Sequence, residues 1–350
     1  MPTQHEVPPR VWLLVGEKAG DNAQVRVIAE ALGWPVEERH IAMQAAWVRG
    51  KPRVRASLDH IDAQRSDALE PPWPDLVITI GRRLSMVGLW VREQSRGRTK
   101  LVLLGKPRRL ARQFDLVVAS AQYRVARRFN VLQLGLPLMR VDPAAVAAAA
   151  DAWRARFAGL ARPLTAMLVG GPTKPVRFDA AVAHELAACA ASLTAEAGGS
   201  LYVTTSRRTP ADVVDALAAS LPPETPLYRW SAEGKDNPHL ALLGLADRFV
   251  VTSDSLTMMV EVARLGRPLA IFVLPPGRGV LGRLWRRLAR GRDLDAVSRM
   301  LIDQGIAVRL GAPFHSPSRP PPDELPRVVA RIRALFDPSG AGSNALHAGV

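Results

Sequence analysis

Apolar and polar positions follow two rhythms along this chain. In the first half, short apolar runs at 11–15, 75–80, 101–104, 116–119 and 131–134 have the length and continuity of strands covered on both faces. The second half repeats the pattern at 165–169, 201–205, 227–229, 249–252 and 269–273. Between these runs apolar residues recur at three- and four-residue spacing. That spacing predicts helices over 20–32, 82–93, 178–197, 210–219, 238–246, 254–265 and 294–304. Such alternation predicts two parallel sheets flanked by helices, an α/β architecture. Residues 135–163 contain an alanine-rich helix and read as the connection. The proline-crowded stretch 311–326 predicts an extended connector. Over 323–336, Leu325, Val328, Val329, Ile332 and Leu335 or Phe336 share one side, which predicts a last helix packing back on the first domain. Residues 338–350 read as a frayed tail. The expected division is 1–150; 151–322; and 323–350, the C-terminal helix and tail.

Composition narrows the class. The 350 residues allow two ordinary domains, and 48% hydrophobic content supports a substantial core. The run at 11–15 is too short for a signal-peptide core, and no stretch of about 18 uninterrupted apolar residues predicts a transmembrane helix. The formal charge of +15 comes mainly from arginine and suits phosphates, nucleic acid or anionic lipid. No basic segment resembles a nucleic-acid module with stacked aromatics, so a nucleic-acid partner is not expected. The single cysteine, Cys189, excludes an internal disulfide and a cysteine-based zinc site. No clustered metal-ligand motif occurs, so neither a metal nor another cofactor is expected.

Candidate chemistry lies in polar turns that follow predicted strands. Gly16-Glu17-Lys18-Ala19-Gly20-Asp21-Asn22 opens the first helix. Its glycines permit close ligand approach, although the GxGxxG spacing is absent. Asp21 and Glu17 are the acid/base candidates, placed where open α/β sheets bind ligands. Gly170-Gly171-Pro172-Thr173-Lys174 suits a phosphate or the acceptor side of a cleft but lacks the Walker ending. In Thr204-Thr205-Ser206-Arg207-Arg208-Thr209-Pro210, Thr209 reads as an N-cap, while Arg207 and Arg208 offer planar donors to phosphate. Ser253-Asp254-Ser255 reads as a helix start facing an anion. Glu261 follows Asp254 by two turns, on the same helix face, where it suits a ribose. Each turn also fits an ordinary capped helix start. Asn237-Pro238-His239 reads as a cap-then-proline helix start.

Two basic stretches add a surface reading. Over 280–292, Leu281, Leu284, Trp285 and Leu288 have helical spacing among Arg283, Arg286, Arg287, Arg290 and Arg292. Such a helix lies on anionic lipid or packs on the core with a solvated basic side. Trp47 beside Arg49, Lys51, Arg53 and Arg55 is a second candidate contact.

Several of these motifs, in this order, resemble the mitochondrial-fission "elongated mitochondria" family. They are Gly20-Asp21-Asn22-Ala23-Gln24, Gly81-Arg82-Arg83, Gly170-Gly171-Pro172, Thr205 to Pro210, Asn237-Pro238 and Thr252-Ser253-Asp254-Ser255. Bacterial members are regarded as candidate glycosyltransferases, and the family is similar to GT-B enzymes. The resemblance implies two Rossmann-like domains facing a cleft, 1–150 on the acceptor side and 151–322 on the nucleotide-sugar side. It also implies transfer of a sugar from a nucleotide-sugar to an acceptor, without a metal. The segment from Asp254 to Glu261 resembles the donor-binding helix of the lipid-linked N-acetylglucosaminyltransferase of peptidoglycan synthesis. There a glutamate in the place of Glu261 holds the ribose. Ser255 and Leu256 depart from the small residues usual at that diphosphate turn. The turn from Gly16 to Asp21 resembles that of lipid A disaccharide synthase.

By this likeness Gly170, Gly171, Thr173, Ser206, Arg207, Arg208, Ser253, Asp254, Ser255 and Glu261 bind the nucleotide-sugar. Asp21 or Glu17 is the base. The implied partners are a lipid-linked acceptor, such as a cell-envelope glycolipid, and an anionic membrane surface. The implied location is cytoplasmic, at the inner face of the plasma membrane. The alternatives are a GT-B-fold nucleotide-sugar epimerase and a non-enzymatic membrane-surface adaptor.

Overall fold

A computed structural model describes residues 7–49, 52–107, 110–173, 176–234, 236–277, 293–317 and 319–337. The chain forms two compact units. Met1–Met139 and Asp323–Val350 make the first, and Arg140–Pro322 makes the second. The basic stretch 280–292 and the tail 338–350 lie outside the described residues, as do Lys51, Lys174 and the side chain of Arg49.

The first unit runs β1 (Val11–Val15), α1 (Ala19–Leu32), β2 (Val36–His40), α2 (Ala45–Arg49), β3 (Leu76–Ile80), α3 (Gly81–Gln94), β4 (Lys100–Leu104), β5 (Leu116–Ser120) and β6 (Val131–Leu134). All pairings are parallel, in the order β2-β1-β3-β4-β5-β6. Every residue of β1, β3 and β5 is buried, as a sheet covered on both faces requires. The edge strand β2 reads Val-Glu-Glu-Arg-His and was not expected from an apolar run. Its register on β1, from Val11 opposite Val36 to Val15 opposite His40, is held with charge pairs. Glu37 meets Arg10 at 2.9 Å and Arg39 at 2.6 Å, and Glu38 meets Arg26 at 2.7 Å.

The second unit runs α4 (Pro143–Phe157), β7 (Leu164–Val169), α5 (Ala180–Glu196), β8 (Ser200–Thr205), α6 (Ala211–Ser220), β9 (Leu227–Tyr228), α7 (His239–Leu245), β10 (Arg248–Thr252), α8 (Leu256–Arg264), β11 (Leu269–Phe272), α9 (Leu294–Asp303) and β12 (Val308–Arg309). Its parallel sheet has the order β12-β11-β10-β7-β8-β9. The alanine-rich helix α4 packs on α7 within this unit.

The last helix, α10 (Leu325–Arg333), returns to the first unit, as its one-sided apolar pattern predicts. Leu325, Val328 and Ile332 join the core around β1 to β5, and the helix packs on α1. Trp34 and Phe336 meet edge to face at 5.3 Å between ring centres, and Glu324 accepts the Gly135 N–H at 2.7 Å.

The strand orders fix where each sheet opens. In the first unit the direction of winding reverses between β1 and β3, and in the second between β7 and β10. The loops leaving the carboxyl ends of such strand pairs diverge and leave a crevice, the usual ligand position in an open α/β sheet. The predicted turns at Gly16, Gly170 and Ser253 all leave these strands.

Candidate functional site

Three turns of the second unit meet at its reversal point. Gly170 follows β7, and its N–H donates to the Thr252 hydroxyl at the end of β10 at 2.8 Å. The next amide, Gly171 N–H, donates to the Asp254 carboxylate at 2.7 Å. Arg208, after β8, pairs with the same oxygen of Asp254 at 3.0 Å and reaches Gly171 O at 3.2 Å and the Thr173 hydroxyl at 2.9 Å. A methyl group at Gly170 would overlap the Asp254 carboxylate, and one at Gly171 would overlap the backbone carbonyl of Arg208. Both glycines are therefore steric necessities of this junction.

Asp254 is withdrawn from the ligand side. Its side chain is fully buried, and Oδ1 has no hydrogen-bond partner. Burial pushes its carboxyl above the usual carboxylate range. The Arg208 charge and the donors from Gly171 and Thr252 oppose that rise without cancelling it. Ser253 is also turned inward, its hydroxyl accepting the Leu274 N–H at 3.0 Å. The Ser253 amide donates to Phe272 O and the Ser255 amide to Thr252 O. Helix α8 begins at Leu256, not Asp254, with Ser255 as N-cap. Asp254 and Glu261 accordingly do not share a helix face. Thr209 is likewise not the cap of α6, which Pro210 fills. Its hydroxyl donates to Gly170 O at 2.6 Å and ties the β8 turn to the β7 turn.

Outside this buried junction lies a pocket of about 320 Å³, lined by Ser206, Arg207, Arg208, Ser255 and Glu261 of the predicted set. Gly170, Gly171, Thr173, Ser253 and Asp254, expected among the binding residues, do not line it; they belong to the junction. The first bond inside α8 runs from Met259 N–H to Ser255 O, so the amides of Leu256, Thr257 and Met258 have no partner within the helix. Thr257 and Met258 line the pocket, at the positive end of the helix dipole. Arg207 is exposed and, among the described residues, pairs with no carboxylate.

Glu261, one turn further along α8, accepts from His239 Nε2 at 2.9 Å through Oε2. Its other oxygen, Oε1, has no partner among the described residues. His239 is positioned by Asn237, whose Oδ1 accepts the His239 N–H at 3.0 Å. Trp230, after β9, is anchored by its backbone N–H on the Thr205 hydroxyl at 2.9 Å and adds the pocket's aromatic surface.

Sequence reasoning did not assign Trp230, His239, Thr257 or Met258 to the site. The position after a strand was the available signal for Trp230, and the Asn-Pro-His helix start was the signal for His239.

In the first unit, the turn after β1 is held by Asn22. Its Oδ1 accepts the Gly16 N–H at 3.0 Å, and its Nδ2 donates to Gly16 O at 2.6 Å. Glu17 is exposed and Asp21 half-buried, with Lys18 3.9 Å from the Asp21 carboxylate. Both carboxylates face solvent at the carboxyl edge of the sheet.

The chain matches the mitochondrial fission ELM1 family over residues 19–336. It is 28% identical over 225 residues to the mitochondrial fission protein ELM1 of Arabidopsis thaliana, covering 58% of this chain and 52% of that protein. The chain thus spans about half the length of this curated relative. Among solved structures it superposes on a UDP-GlcNAc 2-epimerase of Methanocaldococcus jannaschii with a TM-score of 0.52 at 10% identity, over 93% of this chain and 99% of that one. The UDP complex of MnaA from S. aureus gives 0.50 at 11% identity, over 93% and 96%. The two reversed parallel sheets are therefore those of the GT-B fold of glycosyltransferases and epimerases, and the chain belongs to the mitochondrial fission ELM1 family.

Proposed function

We propose that the protein binds a nucleotide-sugar at the carboxyl edge of its second sheet and transfers the sugar to an acceptor hydroxyl. One observation carries this reading. The start of α8, the unpaired Arg207 and the Glu261–His239 pair converge on a single pocket at the reversal point of the strand order. The amides of α8 and the Arg207 guanidinium suit a diphosphate. Glu261 Oε1 suits a ribose hydroxyl, with Oε2 held in place by His239. Trp230 offers a face to the base.

In the reaction, the acceptor oxygen forms a bond to the anomeric carbon as the bond from that carbon to the diphosphate breaks. The diphosphate leaves with the electron pair. Amides and Arg207 stabilise its charge, and losing one such donor typically costs about 10²–10³ in rate. Asp21 is the base that takes the acceptor proton, with Glu17 as its neighbour. The position of both carboxylates after the carboxyl end of β1, Glu17 exposed and Asp21 half-buried, supports this assignment. The family resemblance favours a cell-envelope glycolipid as acceptor and the cytoplasmic face of the membrane as the place of work.

The test is a thermal-shift and calorimetric screen against nucleotide-sugars. UDP-sugars come first, because the S. aureus protein of like fold is a UDP complex. A binder raises the melting temperature with its occupancy. Glu261→Ala or Arg207→Ala weakens that binder by about tenfold, one charge-assisted hydrogen bond. Asp21→Asn keeps binding and loses transfer. A panel in which no nucleotide-sugar shifts the melting temperature sinks the reading. An epimerised sugar formed from the donor alone replaces transfer with epimerisation. Unaltered biological function in an Asp21→Ala, Glu261→Ala double variant replaces it with an adaptor role.

A further inference from the structure

Asp254 is a buried acid that the transfer step does not use. Its side chain has no exposed surface and does not line the pocket. Oδ2 accepts from the Gly171 N–H at 2.7 Å and from the Arg208 guanidinium at 3.0 Å, while Oδ1 is buried without a partner. The turns after β7, β8 and β10 meet around it, and α8 begins two residues later. Arg208 is the charged group that pairs with it. Arg207, from the same turn, lines the pocket together with Glu261 of α8, whose carboxylate His239 holds at 2.9 Å. Gly171, Thr173 and Thr252 bring no charge, and Lys174 lies outside the described residues.

Arg208 belongs to two environments at once. Its guanidinium is held by Asp254, Gly171 O and Thr173, yet 43% of its side chain is exposed and it lines the pocket. Among the described residues, Arg207 and Arg208 thus stand against two carboxylates, Glu261 in the pocket wall and Asp254 in the junction. A diphosphate diester brings two further negative charges. These compete with Asp254 for Arg208, and a like charge close by disfavours an ionised carboxyl. Burial already lifts the Asp254 carboxyl above the usual carboxylate range, and the Arg208 charge is the strongest of the influences opposing that rise. An anion that weakens this one influence leaves burial to decide the charge of Asp254.

We propose that a diphosphate bound in this pocket shares Arg208 with Asp254, and that Asp254 then takes up one proton, so that donor binding is coupled to proton uptake. This deepens the nucleotide-sugar reading of the same pocket and rests on it. The step is a protonation alone. A proton from water adds to a carboxylate oxygen of Asp254, and no bond to the ligand forms. The proton returns to solvent when the diphosphate leaves and Arg208 again serves Asp254 by itself. Asp254 acts through Arg208 and is a positioning residue. The complex holds the proton more tightly than the free protein, so affinity is highest at low pH. It falls as the pH rises from the Asp254 value of the free protein to that of the complex, and it is level outside this window. The fall is at most about tenfold per pH unit, the limit for a single proton.

The experiment is calorimetry on the full chain over about pH 5–8 in pairs of buffers with different ionisation enthalpies, which counts the protons exchanged on binding. UDP-GlcNAc is one probe and inorganic pyrophosphate the other. UDP-GlcNAc binding takes up a proton within the window, and Asp254→Asn abolishes that uptake and flattens the pH profile. Pyrophosphate titrates near neutrality itself, so its proton count is read as the difference between wild type and Asp254→Asn. Pyrophosphate has no carbonyl, so its difference infrared spectrum reads the protein. The band of a protonated carboxylic acid appears on binding, persists in Glu261→Gln at saturating ligand and is missing in Asp254→Asn. If Asp254→Asn does not fold, the spectra of wild type and Glu261→Gln decide. Binding with no proton uptake and no new band overturns the inference and leaves the donor site standing. A band already present without ligand, lost in Glu261→Gln or kept in Asp254→Asn also overturns it. Pyrophosphate binding with the new band but no nucleotide-sugar binding supports the proton coupling and sinks the donor reading, whereas binding of neither probe sinks both.

Discussion

The two units open their sheets at equivalent places but close the turns there by different means. After β7, two glycine amides, a buried carboxylate and an arginine form a dense junction with no room for a methyl group. After β1, one asparagine clamps Gly16, and Glu17 and Asp21 are left facing solvent. A carboxylate near a strand end is therefore not a uniform signal. In the second unit it holds three turns in register, whereas in the first it is available to a proton.

Substitutions that load each turn in the same way should break this symmetry most. Gly171→Ala forces a Cβ into the backbone of Arg208, so it should cost more than about 4 kcal/mol or prevent folding of the second unit. Gly20→Ala, with no atom within 4 Å of the new Cβ and a helical backbone, should be neutral or stabilise by up to about 1 kcal/mol. Urea midpoints of the two variants decide the matter, and similar losses would mean that the turns are equivalent after all.

Next in size, Asp254→Ala removes the acceptor of Gly171 N–H and the partner of Arg208. It should destabilise by about 2–3 kcal/mol, the range for hydrogen bonds to a charged group. Arg208 is itself partly exposed, which keeps the loss below that of a wholly buried ion pair. A loss under about 0.5 kcal/mol would show that the carboxylate faces a ligand instead. Asn22→Ala deletes two hydrogen bonds to Gly16 and should cost about 1–2 kcal/mol while leaving nucleotide binding unchanged.

The smallest effect is one of pH. Burial holds the His60 imidazole below its ordinary value of about 6.5. The unfolded chain therefore takes up this proton first. The stability due to neutral His60 is complete above about pH 6.5 and is lost as the pH falls through the folded-state value. The slope cannot exceed about 1.4 kcal/mol per pH unit. His60→Gln should flatten the difference between urea midpoints at pH 7.5 and 5.5, and an unchanged difference would place the titrating group elsewhere.

The fold was legible where both faces of a strand are covered. β1, β3, β5, β7 and β10 read as unbroken apolar runs because helices lie on each side of them. The edge strands β2 and β12 were not legible. Val36–His40 carries charges that become favourable only once β1 supplies a register, and Val308–Arg309 is too short to show a period. At the site, strand ends marked the right turns. The division of labour within them did not show, because it depends on where α8 starts. A start two residues later than the Ser-Asp-Ser pattern suggests turns Asp254 inward and leaves Glu261 in the pocket with His239.

Helix α10 has a consequence for how the protein is made. A ribosome delivers β1 to β6 first, then all of the second unit, and only then Leu325, Val328 and Ile332. Until those residues emerge, the earliest sheet has an uncovered apolar strip, the kind of surface that attracts chaperones or neighbouring nascent chains. Completion of the first unit thus waits on the carboxyl-terminal helix, so a chain released before residue 325 carries its first sheet unfinished.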